Sequence, residues 1–190
     1  MTLNPLPYVR REPVGTIVVP LISYALGGWM IGWASAPYDP VWAERHPRKE
    51  ALMAAAGPAA NLLLVALALL AIRAGHAAGW FLPPAAPAFD HVVEVIVPGG
   101  AGLAPLLSIL FSLNLLLFVF NLLPLPPLDG SAIFPVLLGE DAARGYKRLL
   151  RAQPMLSLLG LLVAWNLFGP LFQPVYKFVL NLLYPGVSYG

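Results

Sequence analysis

A chain of 190 residues that is 59% hydrophobic and 11% charged, with a mean hydropathy of +0.76, lies outside the range of soluble domains and inside that of polytopic membrane proteins. Its net charge of +2 is gathered in short basic clusters between apolar runs, a pattern that sets membrane topology and excludes a nucleic-acid surface. The absence of cysteine excludes disulfides and thiolate metal sites, so any zinc site would have to use histidine and carboxylate.

In chain order, Met1 to Pro13 is polar and punctuated by proline, and it has no apolar core of the kind a signal peptide needs. Val14 to Ala34 is an apolar run of near-spanning length, weakened as a straight helix by Pro20 and by Gly27-Gly28. Arg10 and Arg11 precede it, and Arg45, Arg48 and Lys49 follow. The positive-inside tendency would place both flanks on one side, as in a re-entrant hairpin, but so few charges are outweighed by length and a full crossing is expected. Asp39 to Glu50 reads as a charged loop, with His46 a solvated loop histidine. Ala51 to Ile72 then crosses, and its opening Ala-Ala-Ala-Gly-Pro-Ala-Ala-Asn gathers small residues into a notch where another backbone can approach. Asn61 offers a donor and an acceptor inside the bilayer, as glue between helices or as a site residue.

Gly75 to Gly102 is rich in Pro, Gly and Ala and carries no Lys or Arg, which predicts an outward-facing, mobile loop. Its Asp90, His91 and Glu94 include one nitrogen ligand and are not expected to form a metal site. Leu106 to Leu123 crosses again. Glu140 to Arg151, with Arg144, Lys147, Arg148 and Arg151, reads as a cytoplasmic interfacial helix. Pro154 to Phe168 is a short apolar run. After Gly169-Pro170, Leu171 to Tyr184 sets Gln173, Lys177 and Asn181 four apart, an amphipathic helix expected at the interface or edge. The fold class predicted is all-α: one membrane-embedded domain over 1–190, with about four membrane-embedded helices, a break at Asn121–Gly130 and a C-terminal amphipathic helix.

The most informative stretch is that break, Asn121-Leu-Leu-Pro-Leu-Pro-Pro-Leu-Asp129-Gly-Ser131. Its prolines remove backbone donors and leave carbonyls to be satisfied by protein, ligand or water. Asp129 then stands between two apolar segments, where an unpaired carboxylate costs on the order of 3 kcal/mol and so calls for a metal, a cation or a hydrogen-bond network. The plain alternative is an N-cap or an Asp-Gly turn into the next helix.

This block is similar to the second signature of the site-2 protease family, the intramembrane zinc metallopeptidases of family M50. Ala56-Gly57-Pro58-Ala-Ala-Asn61-Leu-Leu resembles the family's Gly-Pro-x-x-Asn helix, and Thr2-Leu-Asn-Pro-Leu-Pro7, Pro13-Val-Gly-Thr16 and Gly32-Trp-Ala34 resemble the segment that follows the first signature in short bacterial members. The resemblance implies a multi-pass protein of the bacterial cytoplasmic membrane that cuts transmembrane segments of membrane proteins. It implies Zn²⁺ with Asp129 as its third ligand, Asn121 holding an unwound substrate strand and Asn61 facing the active site.

One part of the pattern is missing. The first signature, His-Glu-x-x-His, supplies two ligands and the general base from one helical face. The histidines here, His46, His76 and His91, have neither that spacing nor an adjacent Glu. The resemblance therefore implies a chain begun at an internal methionine and inactive alone. The alternatives are a pseudoprotease that binds transmembrane clients without cutting them, and a small transporter or channel component with Asp129 at its ion site.

Overall fold

The computed structural model describes residues 6–11, 13–27, 40–153 and 155–190. Two compact units divide the chain, 1–43 and 44–190. Thr2 to Pro5 and Gly32-Trp33-Ala34, which carry part of the resemblance, lie outside the described residues, as does the last third, 28–34, of the crossing expected over 14–34.

In the first unit, α1 (Leu6–Arg11) is followed by a π-helical turn, Val14–Val18, that passes into α2 (Val19–Gly27). The change of geometry falls beside Pro20, whose missing N–H interrupts the regular ladder.

The second unit begins in α3 (Pro40–Arg45) and is built on α4 (Pro47–Ala77), α5 (Leu103–Asn121) and α8 (Met155–Leu183). Among the described residues these last three are the helices long and apolar enough to cross a membrane. Only 22%, 33% and 18% of their apolar windows are buried, and Leu52, Leu63, Leu70, Leu106, Trp165 and Phe178 stand largely exposed. Apolar surface on that scale is stable only against lipid. Between α5 and α8 lie two short helices, α6 (Gly130–Leu137) and α7 (Glu140–Ala152).

α8 runs unbroken through Gly169-Pro170, where the sequence suggested two segments. The reason is a column of aromatic rings four residues apart. Phe168 stacks on Phe172 at 5.1 Å and Phe172 lies 5.4 Å from Tyr176, while Phe120 and Phe111 of α5 meet Phe168 and Tyr176 at 5.3 and 6.1 Å. Packing on α5 crosses the Gly-Pro step from both sides and overrides the local preference to stop, as membrane helices tolerate.

The loop after α4 is likewise more ordered than its composition suggested. β1 (Phe81–Leu82) pairs antiparallel with β2 (Glu94–Val95). The ring of Phe81 lies against Gly75, where a Cβ would come within 2.3 Å of it. Tyr184 donates to the Val92 carbonyl at 2.9 Å, Tyr189 to Pro84 at 2.9 Å and Tyr176 to Ala88 at 3.2 Å. The Val92 amide donates to Ser108 Oγ at 2.9 Å. Burial pushes the pKa of the Tyr184 hydroxyl up, so it remains a donor. This cap encloses the main core, which includes Val65, Ile72, Phe81, Val92, Phe111, Leu115 and Leu180.

At the other end α7 is fastened by charge to α3 and to the start of α4. Arg48 meets Glu140 at 3.0 Å, Arg151 meets Glu44 at 2.6 Å, and Lys147 pairs with Glu50. The last pair is buried, with side-chain exposures of 13% and 7%. Burial, and then Arg151, pull the Lys147 ammonium below its usual range, and Glu44 opposes them. Removing one partner from such a pair leaves an uncompensated charge. Glu50→Gln is therefore expected to cost about 3 kcal/mol, and Glu50→Leu with Lys147→Met to recover most of it; thermal melts of the single and double variants in one detergent check this.

Candidate functional site

The chain between α5 and α6 is held by three glycines, each at a contact that no Cβ would allow unchanged. α5 ends at Asn121 because Pro124 cannot donate to the next turn. From Leu122 the backbone turns through the Pro126-Pro127 bond, which is cis, and returns to start α6 at Gly130. There a Cβ would lie 2.3 Å from the Leu123 carbonyl oxygen and 2.4 Å from that of Leu122. The loop closes on itself only because residue 130 has no side chain. On α8, a Cβ at Gly160 would lie 2.2 Å from the Pro126 carbonyl oxygen. Leu123 and Leu128 pack on Ala164 in a second core beside Phe120, Leu125 and Phe168, which fixes the loop to α8.

The third contact involves Asp129. It occupies the N-cap position of α6, and its carbonyl accepts from the amides of Ala132 and Ile133 at 2.9 and 3.2 Å. Its side chain makes no cap bond, so the plain N-cap alternative fails for the carboxylate. Instead Oδ2 turns onto α4 and lies 3.0 Å from where a Cβ of Gly57 would stand. The small-residue notch read from the sequence is thus a packing notch, and what enters it is the Asp129 carboxylate. α4 passes through Gly57-Pro58 without a break.

Asn61 stands one turn after Gly57 on the same face of α4, about 6 Å along it, and is half-buried. That brings Asn61 to the side of α4 that receives the carboxylate. Asn121, half-buried at the end of α5, immediately precedes the Leu122 and Leu123 carbonyls that close on Gly130. Among the described residues no hydrogen bond or ion pair satisfies the Asp129 carboxylate, and none engages the Asn61 or Asn121 amide. The site is a carboxylate and two amides around a helix break, facing apolar helices on both sides.

The histidines are elsewhere. His76 Nδ1 lies 2.8 Å from the Phe81 carbonyl, His91 lies 4.0 Å from Glu94 on an exposed loop, and His46 precedes α4. Among the described residues no three His, Asp or Glu side chains gather as a metal site would require. One carboxylate with two amides does not make a zinc site, which takes three or four His, Cys or carboxylate ligands.

Two residues of the site were not singled out in the sequence. Gly57 is visible in the sequence as part of the small-residue notch and not as the surface for Asp129. Gly160 was not noticed, although a lone glycine within Leu-Leu-Gly-Leu-Leu signals a close approach. The steric contacts rank the glycines. Gly130→Ala and Gly160→Ala meet backbone oxygens and are expected to cost more than about 2 kcal/mol, with loss of the ordered loop. Gly57→Ala meets only the movable end of Asp129 and is expected to leave the melting temperature nearly unchanged; melts of the three variants test the order.

The family model described as "Peptidase family M50" matches residues 17–165. The chain is 29% identical over 193 aligned residues to a Bacillus subtilis protein named "Putative zinc metalloprotease YwhC", covering 92% of this chain and 78% of that one. It is 35% identical over 147 residues to "Putative zinc metalloprotease Rip2" of Mycolicibacterium smegmatis, covering 76% and 46%. It is 32% identical over 176 residues to the protein of the same name from Mycobacterium tuberculosis, covering 93% and 58%. The chain thus spans about half the length of the Rip2 proteins it matches. No solved structure matches it.

Proposed function

Because this chain belongs to peptidase family M50, we propose that it carries the carboxylate part of the active site of a site-2-type metalloprotease, which cuts transmembrane segments of membrane proteins. The observation that supports this most is Asp129. Its carboxylate makes no cap bond to its own helix, is set against Gly57 and is left without a hydrogen bond among the described residues. A carboxylate so placed between apolar helices is stable when it meets a cation, and in a zinc metalloprotease it is a ligand.

The two histidines and the general base of the complete site are proposed to come from a His-Glu-x-x-His helix outside these 190 residues. When bound, zinc would polarise the scissile carbonyl and activate water. The residues of this chain have other work. The break at 122–129 sets prolines without N–H groups beside carbonyls that can accept from an extended segment, and Asn121 at its start is suited to hold such a segment by its backbone. Asn61, one turn from the carboxylate contact, is placed to orient substrate or water. The helices that carry these residues set the reaction in the membrane, and the bacterial cytoplasmic membrane is the location proposed.

The absence of His-Glu-x-x-His from the sequence also supports a second reading, a protein that binds transmembrane clients without cleaving them. An in-frame fusion of a His-Glu-x-x-His helix ahead of Met1 separates the two. The fusion is expected to bind zinc and cut a transmembrane reporter. In it, Asp129→Ala should weaken zinc binding by more than about a hundredfold, beyond the loss of a supporting residue, and abolish cleavage. Cleavage retained by Asp129→Ala would refute the ligand role. A fusion that folds and binds clients without zinc or cleavage would establish the second reading.

A further inference from the structure

At the end of the bundle away from α7, a half-open cavity of about 470 Å³ lies between the end of α4 and the chain that follows α8, lined by Arg73, His76, Ala77, Pro83, Tyr184 and Val187 among others. It shares no residue with the loop at 121–130. Two features give it a chemical character. Arg73 Nη1 donates to the carbonyls of Leu182 and Leu183, at 3.2 and 3.4 Å, at the C-terminal end of α8. A guanidinium has five donors in a rigid fork, so the Nε and Nη2 edge remains, which is the edge that receives a phosphate on two oxygens. His76 Nδ1 lies 2.8 Å from the Phe81 carbonyl. A carbonyl only accepts, so Nδ1 must carry the proton, and in the neutral ring Nε2 is then an acceptor. The cavity therefore offers a phosphate-binding cation and, one turn on along α4, a hydrogen-bond acceptor.

Depth in the membrane says where such a ligand comes from. The apolar stretch of α4, Ala51 to Ile72, has 22 residues, enough at 1.5 Å each to cross the roughly 30 Å of hydrocarbon. Arg73 is the first charge beyond it and so lies at headgroup level. Trp80, Tyr184 and Tyr189 lie near the same end, as interfacial aromatic residues do. Directly below, Leu70 and Leu182 are largely exposed and give an acyl chain apolar surface to follow.

We propose that this cavity binds the headgroup of a phospholipid with a hydrogen-bond donor beyond its phosphate, an ethanolamine ammonium or a glycerol hydroxyl. Arg73 takes the phosphate and His76 Nε2 accepts from the donor. Choline has no such donor and fits the phosphate half only.

The test offers the purified chain in detergent equal amounts of phosphatidylethanolamine, phosphatidylglycerol and phosphatidylcholine with identical acyl chains, and counts retained lipid by native mass spectrometry. The first two are expected to be retained over the third by about fivefold, the worth of one hydrogen bond. Arg73→Gln should abolish retention. Because Arg73 also caps α8, a second variant is needed: Ala77→Trp fills the cavity from an exposed position and should remove the preference while leaving the melting temperature unchanged. Equal retention of the three lipids, or a preference that survives Ala77→Trp, overturns the proposal. An excess of inorganic phosphate, or of water-soluble glycerophosphoethanolamine, should not displace the lipid. Displacement by either at equal concentration would identify a soluble phosphate compound as the ligand and overturn the lipid assignment.

Discussion

A proline-broken backbone among apolar helices must find its partners in protein, ligand or enclosed water, and the second unit of this protein is arranged around that constraint. Pro124, Pro126 and Pro127 deprive the segment after α5 of three donors. The structure answers with close packing. Gly130 lets the chain fold back onto its own carbonyls, Gly160 brings α8 onto Pro126, and Gly57 admits the Asp129 carboxylate. The three positions lie on three different helices, so the loop holds its shape only while α4, α6 and α8 keep their spacing. Glycine in the middle of a helix costs about 1 kcal/mol relative to alanine. At Gly160 that cost is offset by a contact with the Pro126 carbonyl that no residue with a Cβ permits unchanged.

The two ends of the bundle keep that spacing by different means. At the α7 end the bonds are ionic, with a buried Glu50–Lys147 pair flanked by Arg48–Glu140 and Arg151–Glu44. At the other end they are hydrogen bonds from tyrosines to loop carbonyls, together with Phe81 wedged on Gly75. Both tie α4, directly or through the loop that follows it, to elements near the C-terminus. α4 also carries Gly57 and Asn61, so the helix that receives the carboxylate is anchored at both extremities. A site built on rigid elements is held more closely than one on a free loop, and 121–130 is a loop only in its backbone conformation.

Much of this was legible in the sequence because it rests on local chemistry. Apolar length gave α4 and α5, charge gave α7, and a proline run followed by an acid gave the break and Asp129. The small residues around Gly57 announced a close approach. What was not legible depends on partners far along the chain. The segment 75–102 reads as a mobile loop because Pro, Gly and Ala dominate it, yet its order comes from Tyr176, Tyr184 and Tyr189, which lie 88 to 105 residues away from the carbonyls they meet. Gly169-Pro170 reads as a helix end because local propensity says so, and only the ring column shared with α5 shows why α8 continues.

The same distinction bears on the active site. A metal ligand is usually recognised by its company, and the three histidines of this chain are spaced wrongly and placed elsewhere. Asp129 is identified by its own predicament instead. It stands at the N-terminus of α6 with helical backbone angles, φ −57° and ψ −36°, from which its side chain makes no cap bond, and its carboxylate lies against a glycine that cannot satisfy it. Its position is explained when the group it satisfies is not part of α6, and the geometry then has a direction: the carboxylate faces the α4 surface that carries Asn61, with the opened backbone after Asn121 beside it. Under the proposed reading, that arrangement would set a cation beside an extended chain, as peptide-bond hydrolysis within a membrane requires.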